Sequence, residues 1–153
     1  MCSSDLQHVQ MKKFRILEDV AIADIAIEAY GKDLDELFEN CAFAIFEESA
    51  DINKIEEKET KSIKLKAKNV EDLLFDFLSE ILFLKDTYSM IFKKSNVKIS
   101  GKNGGYELRA ELTGEKIGRE KHELRNDIKA ITLHMFKVEK TKRGCKSTFV
   151  VDV

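Results

Sequence analysis

The chain has 153 residues, 26 of them basic and 28 acidic, for a formal net charge of −2. That length fits one domain with one core, and the near-balance of charge excludes nucleic-acid binding by bulk electrostatics, so DNA is not an expected partner and any RNA contact has to be local. Cys2, Cys41 and Cys145 are odd in number without C-x-x-C spacing, the start MCSSDLQHVQ has no basic-then-apolar leader, and no apolar run approaches the ~18 residues that span a bilayer; together these predict a soluble, cytoplasmic protein without disulfides or a membrane partner. Residues 1–13 are expected as a flexible tail or an overcalled start. From Ile22 to Tyr30 the residues alternate, Ala23, Ile25, Ile27 and Ala29 on a core face against Asp24, Ala26, Glu28 and Tyr30 on the other, so a strand is predicted.

Gly31 ends that strand, and Asp33 followed three residues on by Glu36 predicts a capped helix running to about Ala50. Leu34, Leu37, Phe38, Cys41, Ala42 and Ile45 form its apolar stripe, with Asp35, Glu36, Glu39, Glu47 and Glu48 read as facing water or the helix ends. Lys61–Lys68 alternates as a strand wet on one side, and Asn69 caps a second helix whose stripe is Val70, Leu73, Leu74, Phe77, Leu78, Ile81 and Leu82. Next come an apolar pair at Ile91 and Phe92, a short alternation at Val97 and Ile99, and a hairpin around Lys102–Gly105 leading into Tyr106–Leu112. The glycines of that turn fit no phosphate-loop pattern. Ile128–Val138 reads as a strand, and a basic loop with Lys140, Lys142 and Arg143 precedes a last strand. The order predicts an α+β fold: a sandwich of mixed or antiparallel β-sheet with two helices packed on the sheet.

Aspartate is disfavoured inside a strand, which makes Asp24 a candidate ligand. If the last strand lies beside it, Asp24, Asp152 and the Val153 carboxylate converge as all-oxygen ligands for a hard divalent cation; without a cation such a cluster is left with repulsion. Lys129, at the head of the long strand, reads first as a lysine whose ammonium reaches solvent. His122 and His134 lack partners at metal-ligand spacing and read as surface or edge histidines. Phe43, Phe46, Phe75 and Phe83 lie beside the helical stripes and either widen the core or form a partner patch. No hydrolase motif is present.

In order, LED…ADIAIEAYG, DLDELFENCAFAIF, VEDLLFDFLSEILFL, GYELRAELTGE, KHELRNDIKAIT and the final Asp152 and Val153 resemble the archease family, from about Phe14 to Val153. The resemblance implies a single archease-like domain over residues 14–153. It also implies a protein that is not itself an enzyme but activates the RtcB-type RNA ligase of tRNA splicing, promoting ligase guanylylation and multiple turnover and broadening its nucleotide use. tRNA is then met through the ligase. Calcium is the metal so implied, at Asp24, Asp152 and Val153, with Lys129 as the residue needed for activation. Many members carry Glu-His-Thr-Ala-Asp, whereas here Asp19, Val20, Ala21 and Ile22 separate Glu18 from Ala23, so the usual histidine is missing and Asp19 stands as a candidate extra ligand. The competing readings are a stand-alone metal-dependent phosphohydrolase or nucleotide-binding enzyme, and a general RNA-binding or chaperone-like module.

Overall fold

Two antiparallel sheets share the two helices. The computed structural model describes residues 13–17, 24–102, 104–118 and 120–153, so the expected tail up to residue 12, Asp19, Ile22 and Ala23 lie outside the described residues. The elements are β1 (Phe14–Leu17), β2 (Asp24–Gly31), α1 (Leu34–Ser49), a 3₁₀ turn (Ile52–Lys54), β3 (Glu59–Ala67), α2 (Val70–Tyr88), β4 (Met90–Lys102), β5 (Gly105–Lys116), β6 (Ala130–Thr141) and β7 (Gly144–Asp152). One sheet has the order β1-β2-β7-β6 and the other β3-β5-β4, with every strand pairing antiparallel. Each helix touches both sheets: α1 packs on β2 and β4, and α2 on β3 and β6. The core is one continuous cluster centred on side chains such as Phe38 and Phe77, whose stacked rings lie 5.8 Å apart and are fully buried. Burying each such ring is worth about 1.5–3 kcal/mol. Among the described residues no helix is long and apolar enough to cross a membrane.

Both helix starts follow their local chemistry. The Asp33 carboxylate accepts from the Glu36 amide at 2.9 Å, and Glu36 reaches back to the Lys32 amide at 2.8 Å. Asn69 accepts from the Asp72 amide at 2.8 Å and opens the 19 residues of α2. The reading of Asp35 and Glu39 as water-facing is corrected. Strand β4 is a sheet edge, where backbone N–H groups lack a strand partner, and α1 lies alongside it. Asp35 accepts from the Ile99 amide at 2.9 Å and Glu39 from the Val97 amide at 2.8 Å. Glu71 of α2 does the same for β6, accepting from the Val138 amide at 3.0 Å.

Two strands differ from expectation because bulges break their period. Ile91, Phe92, Val97 and Ile99 belong to one strand, β4, whose register shifts between Phe92 and Lys94 and so changes which parity faces the core. The strand expected over Ile128–Val138 runs instead from Ala130 to Thr141, and its register with β7 breaks between Thr132 and Lys137. Phe46 is buried against Phe92, while Phe43 and Phe75 pack at the core margin against Phe14 and Phe136; Phe83 is exposed.

Candidate functional site

The alternation at the head of β2 and the end of β7 builds the site. Ile25 pairs with Val151, and Val151 with Ile131, giving an apolar row on the core side of three adjacent strands. One residue further on, the side chains turn to the opposite face. There Asp24 lies directly opposite Asp152, which also pairs with Ala130. The backbone N–H of Lys129 donates to the Asp152 carbonyl at 2.7 Å, fixing the exposed Lys129 at the same sheet end. Val153 follows, partly buried against the core. Sequence positions far apart in the chain, Asp24, Lys129, Asp152 and Val153, are thus brought together. Two like charges directly opposite each other destabilise a strand pair. Among the described residues, no ion pair and no third His, Cys, Asp or Glu side chain joins them. The donors present are all carboxylate oxygens, which suit a hard divalent cation with water completing its shell.

On the same face of β2, two residues along, Ala26 and then Glu28 are buried, so the strand has two covered faces and not the single one expected. The reason is its central position: Arg15 from β1 and Lys146 from β7 reach over Glu28 at 2.9 and 3.8 Å, and the Tyr30 hydroxyl donates to it. Burial pushes the Glu28 carboxyl up, but the hydrogen bonds from Tyr30 and Arg15 outweigh it and hold the group below its ordinary range.

Lys129 is delivered by the segment between β5 and β6, and that segment is tied at several points. Its first tie went unseen in the sequence. His122 is buried, with 1 % of its side chain exposed, and this corrects the reading of a surface histidine. Its Nδ1 accepts from the Gly118 amide at 2.8 Å, which places the ring proton on Nε2, 2.9 Å from Glu115. Glu115 also accepts from the Glu56 amide at 2.7 Å and from Lys121 at 2.9 Å. Burial opposes ionisation of Glu115, yet the bonds from His122, the Glu56 amide and Lys121 prevail and lower its pKa to about 2. No local pattern signals this pair, since a Glu at a strand end reads as solvated. Beyond it, Asp51 donates to the Glu123 carbonyl, and Arg125 and Asn126 donate to the Ser49 and Glu48 carbonyls, lashing the segment to the end of α1. Ile128 is then buried immediately before Lys129.

His134 is exposed, as expected. The exposed Lys142 and Arg143 form the two-residue turn between β6 and β7, with Lys140 beside it. Gly144 closes that turn at φ +157, where a Cβ would run into the Gly31 carbonyl. The Gly101–Gly105 stretch is a hairpin in which Lys102 pairs with Gly105. Cys41 and Cys145 are buried free thiols.

The fold and this carboxylate-bearing sheet end define a small α+β protein with two helices packed on antiparallel sheets. Compared with known proteins, the chain belongs to the Archease protein family, whose sequence model matches residues 14–153. It is 40% identical to a protein archease of Pyrococcus abyssi over 88% of this chain and 93% of that one. It is also 40% identical to one of Sulfurisphaera tokodaii, over 94% of this chain and 100% of the relative. The solution structure of Methanobacterium thermoautotrophicum protein 1598 superposes with a TM-score of 0.83 at 36% identity, covering 94% of this chain and all of that one. A Thermotoga maritima archease, described as a possible chaperone, shares the fold with a TM-score of 0.57 at 24% identity, covering 87% of this chain and 93% of that one.

Proposed function

We propose that this protein activates an RtcB-type RNA ligase, promoting guanylylation and multiple turnover, and that it meets tRNA only through that ligase in the cytoplasm. The observation that carries the reading is the direct opposition of Asp24 and Asp152 with Lys129 hydrogen-bonded to the same residue. Calcium, or another hard divalent cation, is the proposed ligand of Asp24, Asp152 and Val153. Such a cation supplies Lewis-acid stabilisation of phosphoryl oxygens when bound. The chain's own residues do the rest: the Ile25–Val151–Ile131 row fixes the backbone from which both aspartates project. The tied segment before β6 fixes the Lys129 backbone beside Asp152, and the role proposed for its ammonium is to face charge developing on a transferred phosphoryl group. The test is a ligation assay with a cognate ligase, limiting in amount, and excess RNA. Addition of the protein is expected to accelerate turnover, and Asp24→Ala to remove that acceleration with the fold intact. Full acceleration by Asp24→Ala refutes the proposal. GTP or RNA turnover by the purified protein alone would replace it with a stand-alone phosphohydrolase.

A further inference from the structure

Charges that face each other directly across the described strands are opposite in sign at all but two places. Arg15 lies opposite Glu28, Lys66 opposite Glu107 and Lys146 opposite Glu139, with charged atoms 2.9, 3.2 and 4.0 Å apart. The first exception is Asp24 against Asp152. The second lies in the other sheet, where Arg109 of the central strand β5 has Lys64 of β3 on one side and Lys98 of β4 on the other. Three exposed cations thus stand abreast across two strand spacings, about 10 Å of sheet. Like charges so placed destabilise a sheet. The neighbouring Lys66 and Lys94 are paired with Glu107 and Glu57, whereas none of the three joins an ion pair among the described residues.

A recess of about 390 Å³ opens over this row. The next row on the same face is Ser62, Glu111 and Asn96, which also line the recess, so one carboxylate borders three cations there. On the other side Glu107 is already taken by Lys66. The occupant follows from charge and from the chemistry of the whole face. The alternate residues that point outward, within Thr60–Lys66 on β3, Lys94–Ser100 on β4 and Glu107–Thr113 on β5, are all polar. A protein partner is held around apolar and aromatic anchors, a membrane takes up an apolar face, and stacked bases need an aromatic ring. None of these is offered. Arg, Lys, Ser and Asn side chains are instead the set that contacts phosphate oxygens along a nucleic-acid backbone.

We propose that the Lys64–Arg109–Lys98 row holds the phosphate backbone of an RNA strand without reading its bases. That this RNA is the ligase's substrate rests on the activator reading given above; the affinity of the row for a phosphate chain does not. Three phosphate contacts bind weakly, so the strand stays on this face while the ligase grips it elsewhere, in agreement with a chain whose net charge is −2. Arg109 is the central contact, with a cation on both sides.

The test is fluorescence anisotropy of a labelled single-stranded RNA titrated with the full chain, from low to physiological salt. Saturable binding at low salt is expected, with log Kd rising against log salt at a slope of about 2, three contacts at about 0.7 each. Lys64→Gln and Lys98→Gln are each expected to lower that slope to about 1.4. Arg109→Gln does the same while its Tm stays at or above the wild type, because repulsion on both sides is relieved. The triple variant loses binding. No wild-type binding at low salt, or an unchanged slope in all three single variants, overturns the row and leaves the activator reading to its own assay. Binding lost on combining Lys142→Gln with Arg143→Gln, but kept by the row variants, assigns the RNA to the β6–β7 turn and overturns the row as well. Equal affinity for an acidic peptide of matched charge overturns the choice of RNA. Row-dependent RNA binding without any acceleration of the ligase upholds the row and sinks the activator reading.

Discussion

Replacing Asp24 by asparagine keeps the shape of the strand end and removes one of two carboxylates that face each other across β2 and β7. Directly opposed side chains have Cβ atoms about 4.5–5.5 Å apart. At roughly 5 Å, two unit charges repel by about 0.8 kcal/mol in water-like surroundings and about 3 kcal/mol at the dielectric typical of a protein surface. Both residues are half-buried, so about 1–2 kcal/mol is the expected relief. For a chain of this size that raises Tm by about 2–8 °C. The prediction therefore has an inversion in it. In chelator, Asp24→Asn melts above the wild type. With calcium at about 100 times Kd, the wild type gains about 2.7 kcal/mol from binding the folded state and overtakes the variant, which gains little. Circular-dichroism melts of both proteins, in EDTA and in calcium, are the assay. A wild-type Tm indifferent to calcium, or an equal calcium response from Asp24→Asn, refutes the reasoning that these carboxylates are kept opposed in order to hold a cation.

Two further outcomes follow from the ties described above. Glu115 has a folded pKa lowered from 4.5 to about 2, so it contributes stability at pH above its ordinary range, and that contribution is lost as pH falls toward 2. Urea midpoints of the wild type should drop across this window, and those of Glu115→Gln should start lower at neutral pH and slope less; parallel profiles would exclude the group. Glu39→Ala deprives the Val97 amide of its acceptor and is expected to cost about 1.5–3 kcal/mol. Amide exchange should quicken at Val97 more than at Leu112, in the central strand of the same sheet; equal changes at both would show only a global loss.

Features set by neighbours in sequence were legible. Asp33 and Asn69 announce helices because a short polar side chain reaches an amide three residues on, and Lys102–Gly105 announces a tight turn because glycine accepts φ values other residues resist. Asp24 stood out because it interrupts an apolar alternation. What pairs with what was not legible. Nothing in the residues of β2 tells that β7 lies beside it in the register that opposes Asp24 to Asp152; the family resemblance pointed to those residues, and the ladder supplies the physical contact. Asp35 and Glu39 looked like an ordinary wet helix face because their partners are amides of a strand some sixty residues away. Glu115 and His122 were missed for the same reason, each being unremarkable until the other is seen. The bulges in β4 and β6 hid themselves by shifting parity, so that one strand read as fragments and the other as unbroken.

Of the described strands, the last in chain order is not at the edge of its sheet. β7 sits between β2 and β6, so a growing chain that has already completed residues 59–116 can close the β3-β5-β4 sheet by itself, while β2 and β6 wait with unsatisfied edges. The two aspartates become neighbours only in the step that inserts β7. A ribosome product stopped short of residue 144 therefore carries Asp24 and Lys129 without the strand that unites them, and two open strand edges for proteases and chaperones to find. Closing this sheet and creating the site are the same event, so a chain that lacks β7 cannot present a working half of it.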